Sequence, residues 1–587
     1  MNKKEDIFGV EDVLQVIDDI NTSEIDFSEE SSDDEYQLIA DNDGYIHLLC
    51  DSVTSADEND EENTSTDGDD CIPLAQRVKS FADNETKKGV YRWRRHRYVH
   101  VEKPFMGDQY IVPEPPPSPL TIFQQFVNKE MLKNMCQQTN IYSVEKTGTS
   151  VNTTVQELEK LIAIYFHMGL CQLPSIRAYW ERATRYPPIA DEISRNRFEK
   201  LLTVLHFINN NDATDDMKKD RVWKLRPWLR DLRSNFLKVT PEEHQSIDEV
   251  MVAFKGKHGP RVYMPKKPTK WGFKLWARAS STGFMHDFDV YQGATEETKS
   301  RSDVGVSGEV VLKLASTLPD NKNHKLYADN YFNSFALVEK LLDRGIQFIG
   351  TMRQNRMKGC QLKPEKILKQ EGRGAYDEVN DSSKGITIVR WLDKKAVTLV
   401  STYCGAEPLG VAKRWEKKEK QYVEIPKPKL VDEYNKFMGD IDLMDMLCSL
   451  YKYSIRSRRW YLYLWFHTLT VAMVNSLLLF RKNQRGKKQI KLRDFQATIA
   501  EGLIKIGKER KRRRSSNAST SRKRPTTQPN EEIRFDKIDH MPSWDDRHRQ
   551  RCKICSAFRS HVVCGKCNVY LCFNKDRNCF MEYHTNK

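Results

Sequence analysis

Gln245-Ser246-Ile247-Asp248-Glu249-Val250-Met251-Val252-Ala253-Phe254-Lys255 marks the point where the periodicity of the chain changes. Upstream, Phe198, Leu201, Leu202 and Leu205 stand at i, i+3, i+4 and i+7, one face of a helix. The quoted stretch reads instead as a strand. Further strands are predicted over 261–265, 272–279 and 285–291. A helix over 307–318, a strand over 324–328, a helix over 334–344 and a strand over 347–352 follow. Several strands, then alternating helix and strand, predict a mixed α/β sheet.

Working outward, residues 119–238 carry a helical pattern. Thr154-Val155-Gln156-Glu157 has the form of a capping box ahead of the apolar run 158–170. A polar stretch over 354–429, with strands expected at 385–391 and 395–403, reads as an insertion. Helices are expected again over 431–453 and 460–482. The apolar run 460–480 is long enough to cross a bilayer. His467, Asn475 and Ser476 interrupt it, and Arg456, Arg458, Arg459, Arg481 and Lys482 flank both ends, so it reads as a buried core helix. The N-terminus has no apolar run of the kind a signal peptide needs, and no membrane partner is expected.

The formal net charge of +13 over 587 residues hides a split. Residues 1–70 hold 24 Asp/Glu against Lys3 and Lys4, a balance of −22, which leaves +35 on the rest. Residues 1 to about 90, rich in Asp, Glu, Ser, Thr and Asn, cannot bury enough apolar surface to offset ordering entropy, and the N-terminal region 1–95 is expected to be disordered. A basic aromatic patch, Tyr91 to Tyr98, and a stiff proline linker, Pro113 to Pro119, come next. A strongly basic body argues against a typical metabolic enzyme and for a phosphate-rich partner. Lys508 to Arg514 and Arg522-Lys523-Arg524-Pro525 resemble a bipartite nuclear signal, which predicts a nuclear protein. The same clusters also suit salt-dependent phosphate binding or a solvated linker.

Three acidic positions stand out by placement. Asp248 lies within the first strand, Asp329 at a strand-to-helix junction, and Asp442 and Asp445 share one face of a predicted helix. Carboxylates at strand ends of an open sheet gather at one edge. Crowded together they repel unless a divalent cation neutralises them, and hard oxygen ligands suit Mg²⁺ or Mn²⁺. Two such ions can clamp the attacking and leaving oxygens of a phosphoryl transfer.

Six of the 13 cysteines crowd into the C-terminus: Cys552, Cys555, Cys564, Cys567, Cys572 and Cys579, with His584 beyond them. Two CxxC pairs plus further thiols point to zinc rather than disulfides. Seven ligands imply two tetrahedral Zn²⁺ sites with one ligand missing, and a cross-brace of RING or PHD type would interleave the pairs. A zinc-dependent protein-interaction module such as a ubiquitin ligase fits that spacing but leaves 119–500 without a role.

The residues Ser246 to Gly256, Tyr263-Met264-Pro265-Lys266-Lys267-Pro268, Asp329-Asn330-Tyr331-Phe332, Met438-Gly439-x-x-Asp442-x-x-Asp445 and Arg458-Arg459-Trp460 resemble the piggyBac transposase family, as does Leu205-His206-Phe207-Ile208-Asn209-Asn210. The similarity runs from about residue 119 to the C-terminus. It implies a ribonuclease-H-like catalytic core whose aspartate triad is matched by Asp248, Asp329 and Asp442, with Asp445 at a fourth acidic position. Asp440 stands where the family has a small residue, which leaves open which carboxylate there is the ligand. The resemblance implies cutting of double-stranded DNA at transposon ends through hairpins, insertion at TTAA, homodimers, and a zinc module that reads the transposon end. Arg458, Arg459 and Trp460 match a segment close to target DNA, although Trp460 also suits packing at a helix start. The eighth zinc ligand matches His540, with His548 and His561 as rivals.

The expected organisation is therefore an acidic region over 1–95, a linker over 96–118, a helical dimerisation and DNA-binding domain over 119–243 and 454–505, and a catalytic domain over 244–353 and 430–453. The insertion is 354–429, a basic linker 506–538 and the zinc domain 539–587. A domesticated DNA-binding protein without catalysis is the alternative to an active transposase.

Overall fold

A computed structural model of the chain describes residues 91–95, 100, 103–265, 267–293, 302–357, 359–416, 420–484, 489–515 and 531–585. The acidic segment, the second basic cluster and the side chains of the first lie outside the described residues. The quoted stretch is a strand, β1 (His244–Ala253). With it come β2 (Arg261–Tyr263), β3 (Trp271–Ser280), β4 (Met285–Val290), β5 (Lys325–Ala328) and β6 (Gln347–Thr351). β1, β5 and β6 run parallel at the centre, and β3 pairs antiparallel with β1. Strands covered on both faces can carry unbroken apolar runs, and Val250, Met251 and Val252 are all buried.

The expected insertion is not a separate body throughout. β7 (Tyr376–Asp381), β8 (Ile386–Leu392) and β9 (Ala396–Ser401) continue the central sheet, which has nine strands, because β9 pairs with β6. Only the hairpin β10 (Gly410–Glu416) and β11 (Gln421–Lys427) forms a sheet of its own. Part of the segment expected to be disordered or linker also packs on this sheet. Arg94 exchanges backbone hydrogen bonds with Asn380, Arg95 pairs with Asp377 at 2.9 Å, and Trp93 lies against Phe335.

The helical layer is built from both ends of the chain. Its principal helices are α1 (Pro119–Phe126), α2 (Lys129–Thr147), α3 (Val155–Leu170), α4 (Arg195–Val204) and α5 (Arg226–Phe236). Thr154 caps α3 as its sequence predicts, accepting from the Glu157 amide. Within the sheet region lie α6 (Gly305–Ala315) and α7 (Phe335–Asp343). The helix expected over 431–453 is two, α8 (Lys429–Phe437) and α9 (Asp440–Leu450), broken at Met438-Gly439. Glycine there loses more backbone entropy in a helix than other residues and favours the break.

Closing the layer are α10 (Trp460–Asn483) and α11 (Leu492–Ser515). α11 thus carries regular backbone ten residues into the stretch expected to be linker, which began at 506. α10 is long and apolar enough to cross a membrane, yet 89% of that window is buried inside the fold. Most of its polar residues are satisfied there: Ser476 donates to the Ala472 carbonyl, although the buried His467 Nε2 has no hydrogen-bond partner among the described residues. Asn475 bonds both the amide and the carbonyl of Met285, and Thr468 accepts from the Trp228 indole. Each matched pair removes the penalty of burying an unpaired polar group.

Candidate active site and metal centre

The sheet register brings the first two aspartates together. β1 and β5 pair in parallel up to Ile247↔Ala328, so Asp248 on β1 and Asp329, the first residue past the end of β5, come next along the two chains. In a sheet, neighbouring strands lie about 4.8 Å apart. α9 packs on β1 and delivers Asp442 and Asp445, both solvent-accessible.

Three cations face this acidic edge: Lys267, Arg353 beside Asp329, and Lys452 beside Asp445. Lys267, on the connection from β2 to β3, lies 3.3 Å from Glu249, and its ammonium is held above its ordinary range: burial opposes this, but Asp248, Glu249 and Asp442 outweigh it. Lys267 also acts on Asp329 and Asp445. Burial pushes the Asp248 carboxyl up to about 8, with Glu249 adding repulsion. Burial also raises Asp329 and Asp445, the latter further through Asp442. Burial and mutual repulsion thus oppose ionisation of these carboxyls, and a divalent cation would supply the charge that stabilises them as carboxylates. Their oxygens are not gathered as tightly as the thiols described below. Asp440, whose role the sequence leaves open, is buried beside Ser246 and Glu242, and burial lifts its carboxyl well above the usual range. Asp442 and Asp445, not Asp440, are the α9 carboxylates that interact with Lys267.

The three residues expected near DNA divide. Arg459 donates to the carbonyls of Leu202 and Leu205 at 2.7 and 2.9 Å and to the Tyr461 hydroxyl, closing the C-terminus of α4. Trp460 stacks on His258 at 4.1 Å, and Arg458 is exposed. Arg459→Ala is expected to lower stability by about 1–3 kcal/mol, the range for hydrogen bonds from a charged group, read as a lower denaturation midpoint. Arg458→Ala is expected to change stability by about 0.5 kcal/mol or less, read in the same way.

At the C-terminus the strands are short: β12 (Pro542–Trp544), β13 (Gln550–Arg551), β14 (Arg559–Ser560) and β15 (Val562–Cys564), followed by α12 (Cys579–Thr585). Among the described residues, two groups bring their ligand atoms within 4.8 Å of one another and could each hold a metal ion: His540, Cys564, Cys567 and His584, and Cys552, Cys555, Cys572 and Cys579. Cys555 and Cys572 sulfurs stand 3.8 Å apart, and His540 Nδ1 is 3.5 and 3.4 Å from the Cys564 and Cys567 sulfurs. Ligands at zinc distances on a tetrahedron stand roughly 3.5–3.8 Å apart. The groups interleave along the chain, as in a cross-brace. No described cysteine forms a disulfide. Of the rivals to His540, His548 is exposed and pairs with Asp545, and His561 Nδ1 lies 2.9 Å from the Asp545 carbonyl.

The histidine tautomers follow from the surroundings. His540 Nε2 bonds Asp536 Oδ1 and the Ile533 carbonyl, both at 3.0 Å, which leaves Nδ1 for a metal. His584 Nδ1 donates to the Phe580 carbonyl, which leaves the buried Nε2. Asp536 in turn is held by the fully buried Lys566. Asp536→Ala is expected to weaken zinc binding about 10–100-fold, measured on the full chain by competition with a chromophoric chelator. Unchanged affinity would show that Asp536 does not orient His540.

A transposase family model described as "Transposase IS4" matches residues 118–477, more than half of the chain. The chain belongs to the piggyBac transposase family. Human PiggyBac transposable element-derived protein 2 is 30% identical over 473 residues, 80% of this chain and 76% of that protein. Human PiggyBac transposable element-derived protein 3 is 28% identical over 477 residues, again 80% and 76%. In fold, the chain is similar to a piggyBac transposase solved as a synaptic complex with hairpin DNA: TM-score 0.57, 22% identity, covering 78% of this chain and 96% of that one. Membership implies a nuclease and strand-transferase kind of enzyme that depends on divalent metal.

Within this piggyBac-family site, the sequence offers no signal for several neighbours. Glu249 and Lys267 lie in the motifs quoted above, yet only the fold sets them against Asp329. Tyr434, partly buried on α8 beside Asp329 and Asp248, and Lys452, just past the end of α9 with its charge opposing Asp445, are such neighbours. Asp536 lies outside the cysteine cluster altogether.

Proposed function

We propose that this chain is a DNA transposase that hydrolyses and transfers phosphodiester strands at transposon ends and inserts at TTAA. Asp248, Asp329 and Asp442 hold Mg²⁺ or Mn²⁺ within a ribonuclease-H-like core, and Asp445 supports them. The observation that carries this reading is the register that sets Asp248 beside Asp329 under a helix bearing Asp442, all acting on one lysine. Divalent ions there would neutralise the carboxylates and draw charge from the reacting phosphate. The rigid parallel strands fix two ligands and the helix supplies the third. Lys267 tempers the repulsion between this acidic edge and an incoming phosphate.

Two Zn²⁺ ions hold the C-terminal module, which binds the transposon terminal repeat. The active species is a homodimer, and the protein works in the nucleus. A second reading has support in the names of the human relatives, which are element-derived: a DNA-binding protein without catalysis. A plasmid excision assay with candidate terminal repeats flanked by TTAA separates the two. Excision that restores TTAA supports the transposase. Repeat binding without excision supports the second reading, and no DNA binding at low salt overturns both.

A further inference from the structure

The hairpin of β2 and β3 carries a feature that the aspartate site does not explain. Between Val250 and His286 the chain holds eight Lys/Arg and no Asp/Glu: Lys255, Lys257, Arg261, Lys266, Lys267, Lys270, Lys274 and Arg278. In that basic field, two aromatic side chains are left in the open. Tyr263 is 51% exposed and Trp271 41% exposed. They are cross-strand partners in the register, with ring centroids 4.6 Å apart. The Arg261 guanidinium lies 4.3 Å over the Trp271 ring, held there by hydrogen bonds to the carbonyls of Lys255 and Gly256. An exposed tryptophan and tyrosine are expensive in water, and here the backbone bonds of Arg261 keep the set rigid.

The face matters as much as the exposure. Asp248 pairs with Ala277, and alternate residues of a strand share a face, so Ala277, Leu275, Phe273 and Trp271 follow one another on the side that Asp248 occupies. Phe273 on that face meets Trp460. Six residues along a strand is roughly 20 Å. Ala277, Leu275 and Phe273 between the two are buried, so a strand passes around them, and at about 3.4 Å per nucleotide the aromatic pair lies at least roughly six nucleotides from a phosphate held at Asp248.

We propose that Arg261, Tyr263 and Trp271 form a stacking platform for an unpaired nucleobase of the DNA strand that leaves the aspartate site. This rests on the transposase reading and adds to it a base-binding subsite. The chemistry is specific to single strands. A ring can stack on Trp271 only if the base is out of the duplex, and the surrounding lysines and Arg261 meet the phosphates on either side. Arg261 pairs with the Trp271 ring as a cation–π contact, and the exposed surface of the two rings is what a base would stack on.

The test uses the full chain and duplexes that carry a single-stranded extension with 2-aminopurine at successive positions. The expected result is tighter binding of extended than of blunt duplex, with 2-aminopurine quenched at one or two adjacent positions. Trp271→Leu is expected to weaken binding of the extended duplex about tenfold, the size of one lost base–aromatic stack, and to leave blunt-duplex binding unchanged. Trp271→Tyr, which keeps a ring, is expected to restore most of the loss. Equal binding of extended duplex by the parent and Trp271→Leu overturns the platform alone. Failure to bind either duplex overturns the transposase reading and the platform together. A change of sedimenting mass in Trp271→Leu, with DNA binding unaltered, assigns the patch to contact with a second copy and overturns the proposal.

Discussion

Asp248→Asn is expected to reduce Mg²⁺-dependent strand cleavage by about 10²–10³-fold or more, the scale of losing a group aimed at transition-state charge. Binding of transposon-end DNA should be unchanged. The substitution keeps size and shape but removes a ligand charge from the edge where Asp248 and Asp329 lie side by side. It should not unfold the chain. The folded protein holds the Asp248 proton up to about pH 8, because burial and Glu249 disfavour the carboxylate, whereas the unfolded chain releases it near the ordinary value of 3.8. The unfolded state thus binds fewer protons between those values, and stability contributed through this group declines as pH rises through that window. Asparagine has no proton to lose, so the variant should lack that decline. Chemical denaturation at pH 5 and 8, alongside a cleavage assay, checks both statements. A variant that still cuts would remove Asp248 from the metal site.

The second large effect concerns zinc. The C-terminal module buries few apolar side chains, chiefly Val562, Leu571, Phe580 and Tyr583, besides the cysteines themselves. A core of that size cannot offset the entropy of ordering the loops. A structural zinc ion at each of the two ligand groups would contribute on the order of 10–16 kcal/mol. Elemental analysis is expected to give two zinc ions per chain. A strong chelator should unfold the module, seen as rapid amide exchange across 540–585, while the nine-stranded sheet stays protected. Because the two ligand groups interleave along the chain, Cys579→Ser should release the second ion as well as the first, leaving less than one per chain. A variant that keeps a full single ion would mean that the sites fold independently.

The strands from β1 to β6 were legible because their apolar runs and punctuation are local, and their ends fall within two residues of expectation. β7 was not. Tyr376-Asp377-Glu378-Val379-Asn380-Asp381 reads as a polar loop, yet Asp377, Asn380 and Asp381 are buried in the sheet. Their partners are Arg95, the Arg94 backbone and the Arg92 amide. A strand whose buried polar groups are matched by residues far along the chain has no local signature. Arg459 makes the same point in reverse. Its sequence context suggests a phosphate contact, and the carbonyl end of α4 takes the guanidinium instead.

Residue chemistry alone determined that the chain carries oxygen ligands for a hard cation, thiols and imidazoles for a soft one, and a basic body around them. Those properties belong to side chains and survive in any arrangement. Which donors act together was decided only by the fold. Parallel pairing of β1 with β5 sets Asp248 next to Asp329. The cross-brace sorts eight ligands into two groups of four and selects His540 over His548 and His561. The hydrogen bonds from Asp536 and Phe580 fix which imidazole nitrogen faces inward. A metal or a phosphate responds to charge and lone pairs within a few ångströms. The order of residues along a chain leaves those distances open until strand register and helix packing close them.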